Sequence, residues 1–299
     1  MNDERDSPTD SSFNYSRASF HTHSPKKRFG QNFLVDERVI ERIVGEVGPS
    51  EGEPIVEIGP GRGALTSRLL DRKARLFAIE FDRDLIPLLN EKFAALANFH
   101  LIEGDALNIN LCETIAPVAE KARVVANLPY YISTAILQRL LEQRGCLTEM
   151  VLMLQREVVE RIIAPPAAGE RGFLSVLVEA YCDAEPLFDV PPTAFRPVPK
   201  VWSTVVRLSV RRRNVMDLVD DALMWQVVSS GFAQRRKTIF NNLRSAPGPL
   251  RSLIERGGGA ESVLEVAEIE ARRRAETLTL DEWAKLTRTL ADFESTNAD

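Results

Sequence analysis

The chain has 299 residues, of which 44% are hydrophobic and 27% charged, and its formal net charge is −5 at pH 7. These values are typical of a soluble globular protein with one large domain and a smaller one, each with its own core. No apolar run is long enough to span a bilayer, and the N-terminus has acidic residues but no apolar segment behind them. The sequence therefore predicts neither a membrane span nor a secretory signal.

The cysteines and histidines restrict the chemistry further. Cys112, Cys146 and Cys182 are an odd number, widely spaced and without a C-x-x-C pair. This pattern suits a reducing cytosol and argues against a disulfide framework or a zinc site. Two of the three histidines lie in the predicted N-terminal tail, so acid–base chemistry centred on histidine is not expected.

Residues 1–25 are rich in Ser, Asp, Thr and Asn and predict a disordered tail. Strands are then predicted at 54–58, 75–80, 99–103, 123–126, 149–154 and 203–210, with helices at 63–71, 83–95, 133–143 and 155–164. This alternation predicts an α/β Rossmann-like domain with a mostly parallel sheet over residues 26–212. Only helical patterns follow, at 217–231, 234–244, 250–256, 263–273 and 280–293, which predict a small all-helical domain over residues 213–299.

Charge is unevenly distributed along the chain. Residues 196–251 carry eleven Lys and Arg against three Asp, a local charge of +8, so the remainder of the chain sums to −13. A basic surface on an acidic protein favours a nucleic-acid partner, although charge runs are usually only solvated surface.

A glycine-rich segment, G-P-G-R-G at 59–63, joins the first predicted strand to its helix. Its spacing differs from the G-x-G-x-x-G fingerprint of dinucleotide sites. Glu57 would place a carboxylate where a diphosphate needs donors, which favours a cationic ligand with an amino acid and a nucleoside, S-adenosylmethionine. Glu80 and Asp105 follow the next two strands, where they can accept the ribose hydroxyls and the adenine amino group.

The tetrapeptide Asn127-Leu128-Pro129-Tyr130 follows the fourth predicted strand, at the edge where parallel sheets bind ligands. Asn127 Oδ1 and the Leu128 carbonyl can accept the two N–H bonds of an exocyclic amine while Tyr130 stacks on the attached ring. Taken alone, the tetrapeptide is better explained as a strand followed by a proline turn. The neighbouring cofactor motifs favour the chemical interpretation.

Five segments in this order carry a resemblance to a known family: KRFGQNFL at 27–34, the glycine loop, NLPYYIST at 127–134, FRPVPKV at 195–201 and FAQRRKT at 232–238. From residue 26 to the last helix, the chain strongly resembles the KsgA/RsmA family of ribosomal RNA adenine dimethyltransferases. The resemblance implies methylation of adenine N6 by S-adenosylmethionine, at two adjacent adenosines near the 3′ end of 16S rRNA. The implied partner is 16S rRNA within a small-subunit precursor, and the enzyme is expected to be cytoplasmic and monomeric, without a metal.

The resemblance also implies site residues. Cofactor binding is expected at Asn32, Leu34, Gly59, Glu80, Asp105 and Asn127, with residues 32 and 34 in a segment that folds over the cofactor. Catalysis is expected at Asn127, Leu128 and Tyr130. Phe195 is predicted to cover the second face of the adenine. Alternatively, it fills the edge of the hydrophobic core. RNA contacts are expected at Lys26, Lys27, Arg28, Arg235, Arg236 and Lys237, while the basic run at 272–274 is equally well explained as the solvated face of a helix.

Three alternative functions remain open from the sequence. A large-subunit, 23S rRNA adenine dimethyltransferase of the macrolide-resistance type would share the chemistry. A non-catalytic assembly or transcription factor on the same fold would lose Glu80, Asp105 or Asn127, and all three are present. A nicotinamide oxidoreductase is disfavoured by the spacing of the glycine loop.

Overall fold

The computed structural model describes residues 31–211 and 221–295. Its strands are β1 (Phe33–Leu34), β2 (Pro54–Ile58), β3 (Arg75–Glu80), β4 (Phe99–Glu103), β5 (Ala122–Asn127), β6 (Leu147–Gln155), β7 (Cys182–Val190), β8 (Phe195–Arg196) and β9 (Ser203–Val210). Its helices are α1 (Glu37–Val47), α2 (Ala64–Asp71), α3 (Ile86–Phe93), α4 (Leu111–Ile115), α5 (Ser133–Glu142), α6 (Arg156–Ile162), α7 (Phe173–Tyr181), α8 (Asp221–Gly231), α9 (Ile239–Arg244), α10 (Gly248–Arg256), α11 (Ala260–Val266) and α12 (Leu280–Ser295).

Seven strands form the main sheet in the order β4-β3-β2-β5-β6-β9-β7. The first five are parallel, and β9 runs antiparallel between β6 and β7. A separate two-stranded ribbon pairs β1 with β8, with Leu34 opposite Phe195. The parallel sheet with helices between its strands confirms the predicted α/β, Rossmann-like class.

Helices cover both faces of the sheet, which explains why its central strands are apolar almost throughout. Ile55 and Leu76 belong to one buried cluster together with residues of α1, α2 and α3. Their neighbours Val56 and Phe77 point to the opposite face and belong to a second cluster. That cluster continues through α5 and α7 to Trp283 of α12, so the C-terminal helices share a core with the sheet.

Within residues 221–295 the chain forms helices and no strand. The predicted boundary at residues 212 and 213 lies outside the described residues, as do the predicted tail and the basic residues 26–28. No helix of residues 31–211 or 221–295 is long and apolar enough to cross a bilayer.

Several element predictions were wrong in extent or missing. The helix predicted from residue 234 begins only at Ile239, because the Thr238 side chain caps it by accepting a hydrogen bond from the Asn241 N–H at 3.3 Å. The helix predicted to reach residue 273 ends at Val266, and Glu268 adopts a φ of 56°. Strand β7 was not predicted because its acidic residues and Pro186 are uncommon in strands. The pairing register shifts beside that proline.

The structure also corrects the expectation about cysteines. The spacing argued against a disulfide framework, yet Cys112 and Cys146 form one disulfide, with Cα atoms 5.3 Å apart. The buried Gln143 side chain accepts a hydrogen bond from Leu111 N at 2.6 Å and donates one to the Ile109 carbonyl at 3.3 Å. These bonds hold the start of α4 against the turn after α5, and this tertiary contact is invisible in the sequence spacing.

Candidate active site

A cavity of about 280 Å³ lies at the carboxyl ends of β2, β3, β4 and β5. Its lining comes from the glycine loop, the ends of β3 and β4, residues 127–132 and the N-terminal residues 31–33. Seven of the residues predicted from the sequence are among them: Asn32, Gly59, Glu80, Asp105, Asn127, Leu128 and Tyr130. Leu34 instead lines a smaller cavity, which shares Gly59, Gly61 and Asn127 with the first.

The glycine loop turns sharply from β2 into α2. Gly59, Gly61 and Gly63 have φ values of 70°, 60° and 82°, a region that disfavours side chains. A Cβ at Gly59 would meet no atom within 4 Å, so the backbone is open to the cavity there. A Cβ at Gly63 would lie 2.6 Å from Cε2 of Phe93, so this glycine is needed for packing against α3.

Glu80 ends β3 with its carboxylate buried and fixed. Oε2 accepts a hydrogen bond from Gly61 N at 3.0 Å, and Oε1 accepts one from Asp82 N at 2.8 Å. Burial raises the pKa of the Glu80 carboxyl despite these two donors. Because a carboxylate oxygen accepts more than one hydrogen bond, both oxygens retain capacity for ribose hydroxyls.

Asp105, in the turn after β4, is oriented in a similar way. Its Oδ1 accepts a hydrogen bond from Leu107 N at 3.0 Å, and its Oδ2 accepts one from Asn108 Nδ2 at 3.4 Å. The carboxylate therefore faces the cavity in a defined orientation, as an acceptor for an amino group requires.

Glu57 lies deeper, beneath the loop and 1% exposed. Its Oε2 accepts a hydrogen bond from Thr66 Oγ1 at 2.7 Å, and burial raises its pKa to about 8. It lines the smaller cavity together with Gly59 and Asn127. Carboxyl groups at Glu57, Glu80 and Asp105 around an open glycine backbone fit S-adenosylmethionine, which carries an ammonium, two ribose hydroxyls and an adenine amine.

Asn127 and Leu128 present two oxygens at the end of β5. Asn127 Nδ2 donates a hydrogen bond to the Asn32 carbonyl at 3.3 Å, which orients the amide. Neither Asn127 Oδ1 nor the Leu128 carbonyl accepts a hydrogen bond from any residue in 31–211 or 221–295. These two acceptors therefore remain for an amine in the cavity.

Tyr130 is half-buried at the cavity wall, and its hydroxyl lies 2.8 Å from Ser203 Oγ at the start of β9. Ser203 was not predicted, since only the antiparallel pairing of β9 with β6 brings it here. Asp82 was also missed, although a second acid two residues beyond Glu80 was visible in the sequence. It is 3% exposed and accepts a hydrogen bond from Gln31 Nε2 at 2.8 Å.

The structure places Phe195 differently from the leading expectation. Its side chain is 1% exposed, packs in the cluster with α1 and Leu34, and does not line the cavity. The pairing of β8 with β1 turns the ring into the core. In this arrangement Phe195 fills the edge of the core, which was its alternative role, and does not line the cavity as the leading expectation requires.

The predicted RNA-contact residues Arg235, Arg236 and Lys237 are exposed in the turn between α8 and α9. The Arg235 guanidinium donates to the Gly169 carbonyl, which holds this turn against the loop before α7. The basic run at 272–274 is not helical. Ile239 N donates to the Arg273 carbonyl at 2.7 Å, so the run lies beside the same turn.

Comparison with known proteins identifies the family of this chain. The ribosomal RNA adenine dimethylase family matches residues 22–286. Ribosomal RNA small subunit methyltransferase A of Pseudomonas aeruginosa is 43% identical over 92% of this chain and 98% of its own length. The protein of that name from Bacillus licheniformis is 39% identical over 87% of this chain and 89% of its own.

Two solved structures share the fold. A dimethyladenosine transferase from Plasmodium falciparum has a TM-score of 0.71 at 22% identity, covering 88% of this chain and 98% of its own. The 23S rRNA methyltransferase ErmE has a TM-score of 0.59 at 27% identity, covering 87% and 100%.

The fold and the cavity define a methyltransferase that uses S-adenosylmethionine. The match over most of the sequence is more specific, and the chain belongs to the ribosomal RNA adenine dimethylase family. The resemblance found in the sequence motifs is thereby confirmed.

Proposed function

We propose that the protein dimethylates N6 of two adjacent adenosines near the 3′ end of 16S rRNA within a precursor of the small ribosomal subunit. The observation that carries the proposal is the pair of available acceptors, Asn127 Oδ1 and the Leu128 carbonyl, beside Tyr130 at the cavity wall. The names of the relatives support the small subunit as the substrate.

The cofactor residues define where the methyl donor binds. The open backbone at Gly59, the fixed carboxylate of Glu80 and the oriented Asp105 would hold its amino-acid, ribose and adenine parts, while residues 31–33 would cover it. S-adenosylmethionine supplies an electrophilic methyl group when bound. Alignment of the amine with that group is expected to provide much of the acceleration.

Asn127 and Leu128 act on the acceptor amine. The lone pair of the adenine N6 is delocalised into the ring, which makes the amine a poor nucleophile. Two oxygens that accept its N–H bonds favour a more tetrahedral nitrogen, and this interaction strengthens as positive charge develops in the transition state. The N–H becomes acidic at that stage, so no strong general base is required.

The target adenine must leave its RNA stack to enter the cavity. Tyr130 would cover one face of the inserted base, and its hydrogen bond to Ser203 fixes the ring for that contact. Arg235, Arg236 and Lys237, with Lys26, Lys27 and Arg28, would contact phosphates of the folded RNA. All these groups belong to one chain, so we expect a monomer, acting in the cytoplasm where subunits assemble.

The proposed role of Asn127 as an acceptor for the adenine amine is tested with Asn127→Ala. We expect kcat to fall by roughly 10²- to 10³-fold, the usual loss for one acceptor or donor that acts on the transition state. RNA affinity should be retained. Labelled methyl incorporation and mass spectrometry of N6,N6-dimethyladenosine give the readout, and near-normal turnover would refute the model. Asn90→Ala, at an exposed position of α3, is the matched control and should be fully active.

The similarity to ErmE makes 23S rRNA the specific alternative substrate. The wild-type protein should methylate precursor small subunits and leave separated large-subunit particles unmodified. Preferential modification of the large subunit would support the alternative. Absence of methylation on both, with RNA bound, would support a non-catalytic assembly factor.

A further inference from the structure

The loop at residues 197–202, between β8 and β9, lies on the same edge of the sheet as the candidate active site. Ser203 pairs with Gln155, the last residue of β6, while Asn127 at the end of β5 pairs with Met153. The hydroxyl of Ser203 contacts that of Tyr130 at 2.8 Å. Trp202 is therefore one residue from a direct partner of the proposed base-stacking tyrosine.

This loop exposes three large apolar side chains. Trp202 is 45% exposed, and Val198 and Val201 beside it are 54% and 42% exposed. The other two tryptophans are covered, since Trp283 is fully buried and Trp225 packs against Phe173 and Tyr181. Three exposed apolar side chains within five residues, directly before a residue that contacts the cavity wall, favour an interaction site.

The Trp202 ring is held in place by its neighbours. The Trp202 carbonyl accepts a hydrogen bond from Arg156 N at 3.0 Å, and the Arg156 guanidinium lies 4.9 Å from the ring centroid. Arg156 is itself anchored by Asp189 at 2.5 Å, and Asp189 accepts a hydrogen bond from Thr204 Oγ1 at 2.6 Å. A ring fixed in this way loses little freedom when it stacks on a ligand.

The charged residues of the loop suit a polyanion, and Asp189, the acid near the ring, is paired with Arg156. Arg196 and Lys200 of the same stretch are exposed, and residues 195–203 contain no acidic residue. Exposed cations beside an ordered aromatic ring are the combination that binds single-stranded nucleic acid, because the cations contact phosphates and the ring stacks on a base.

We propose that Trp202 is a stacking platform for an unpaired nucleotide that flanks the target adenosine. The platform would hold the strand next to the cavity while the adenine lies against Tyr130. This inference rests on the proposed rRNA methylation, and it adds a substrate-positioning residue outside the cavity. Trp202 would affect RNA binding and leave the chemical step unchanged.

The test uses Trp202→Ala, Trp202→Phe and the control Val118→Ala on the full chain. Val118 is similarly exposed, at 42%, but precedes β5 and therefore lies at the opposite edge of the sheet. With protein-free rRNA, KM for RNA should rise roughly 5- to 100-fold in the alanine variant, as loss of one base–aromatic stack predicts. Trp202→Phe should restore most of the affinity, and Val118→Ala should behave as the wild type.

Two further readouts separate stacking from a structural role. In Trp202→Ala, kcat and the Kd for S-adenosylmethionine should stay within about twofold of the wild-type values, a smaller change than the one expected in KM for RNA. RNA should quench the tryptophan fluorescence of the wild type, and this quenching should disappear in Trp202→Phe.

Three results would overturn the proposal: an unchanged KM for RNA in Trp202→Ala, a parallel loss of kcat or cofactor affinity, or a defect seen only with particles that contain ribosomal proteins. The last result would indicate a protein contact. If the wild type methylates no rRNA, the proposed function fails, whereas the fluorescence assay still reports on stacking.

Discussion

Glu57 is the most unusual single residue near the site, because its carboxyl group is buried beneath the glycine loop with Thr66 as its hydrogen-bond donor. Burial, with the nearby charge of Glu80 adding to it, raises its pKa from 4.5 to about 8. In the folded protein the group therefore retains its proton over a pH range in which the unfolded chain has already lost it.

The sign of the resulting pH dependence follows directly. Between pH 4.5 and about 8 the folded state binds the extra proton, so this group's contribution to the free energy of unfolding falls as pH rises. Glu57→Gln should flatten this part of the profile of the cofactor-free protein. Thermal unfolding from pH 5 to 9 measures the effect.

Glu120→Gln, at an exposed position, provides the control and should leave the slope unchanged. Equal slopes in the wild type and Glu57→Gln would show that Glu57 does not bind the proton in the folded state.

At the scale of elements, one glycine is required both by its backbone conformation and by the close packing of two helices. Gly63 is the N-cap of α2 and has a φ of 82°, and a Cβ there would lie 2.6 Å from the Phe93 ring of α3. Gly63→Ala combines backbone strain with overpacking and should destabilise the protein by about 1–3 kcal/mol.

Gly45 is the matched control, because it lies within α1 and a Cβ there meets no atom within 4 Å. Gly45→Ala should stabilise the protein by about 0.5–1 kcal/mol, since glycine inside a helix costs that much relative to alanine. Denaturant titration of both variants gives the comparison. Similar changes for the two would mean that the close approach of α2 and α3 does not constrain Gly63.

At the scale of the whole molecule, a polar cluster joins the sheet to the C-terminal helices. The Tyr181 hydroxyl of α7 donates to Asp221 Oδ1 of α8 at 2.9 Å and accepts from Trp225 Nε1 at 3.0 Å. The Arg144 guanidinium lies 3.8 Å from the centroid of the same ring and pairs with Asp221. Together with the shared apolar core, this cluster fixes the basic turn at 235–237 relative to the cavity.

That placement leads to a prediction about charge. Arg235→Glu combined with Arg236→Glu should weaken RNA binding and reduce the slope of log affinity against log salt by about 1–2, because fewer counterions are released. Affinity for S-adenosylmethionine should not change. Fluorescence anisotropy with labelled rRNA at several salt concentrations provides the measurement.

Arg75→Glu serves as the control, since Arg75 is exposed at the start of β3, at the opposite edge of the sheet from the cavity. It should reproduce the wild-type salt slope. If RNA affinity and the salt slope fell equally in this variant, the effect would come from net charge alone. That result would contradict a specific RNA contact at the turn.

Local patterns in the sequence were sufficient to predict the α/β class and most of the residues that line the cavity. Apolar runs between turn residues marked β2, β3 and β4, and the glycine spacing and the acids at strand ends indicated Gly59, Glu80 and Asp105. Each of these signals lies within a short segment of sequence. They locate a common site because the carboxyl ends of parallel strands meet at one edge of the sheet.

Long-range packing determines the burial of Phe195, the disulfide between Cys112 and Cys146, and the contact of Ser203 with Tyr130 at the cavity wall. Each depends on pairing between distant segments: β8 with β1, α4 with the turn after α5, and β9 with β6. Neither the hydrophobic periodicity nor the composition of a segment shows which distant segment it will contact. The arrangement of these residues therefore appears only when the whole chain has packed.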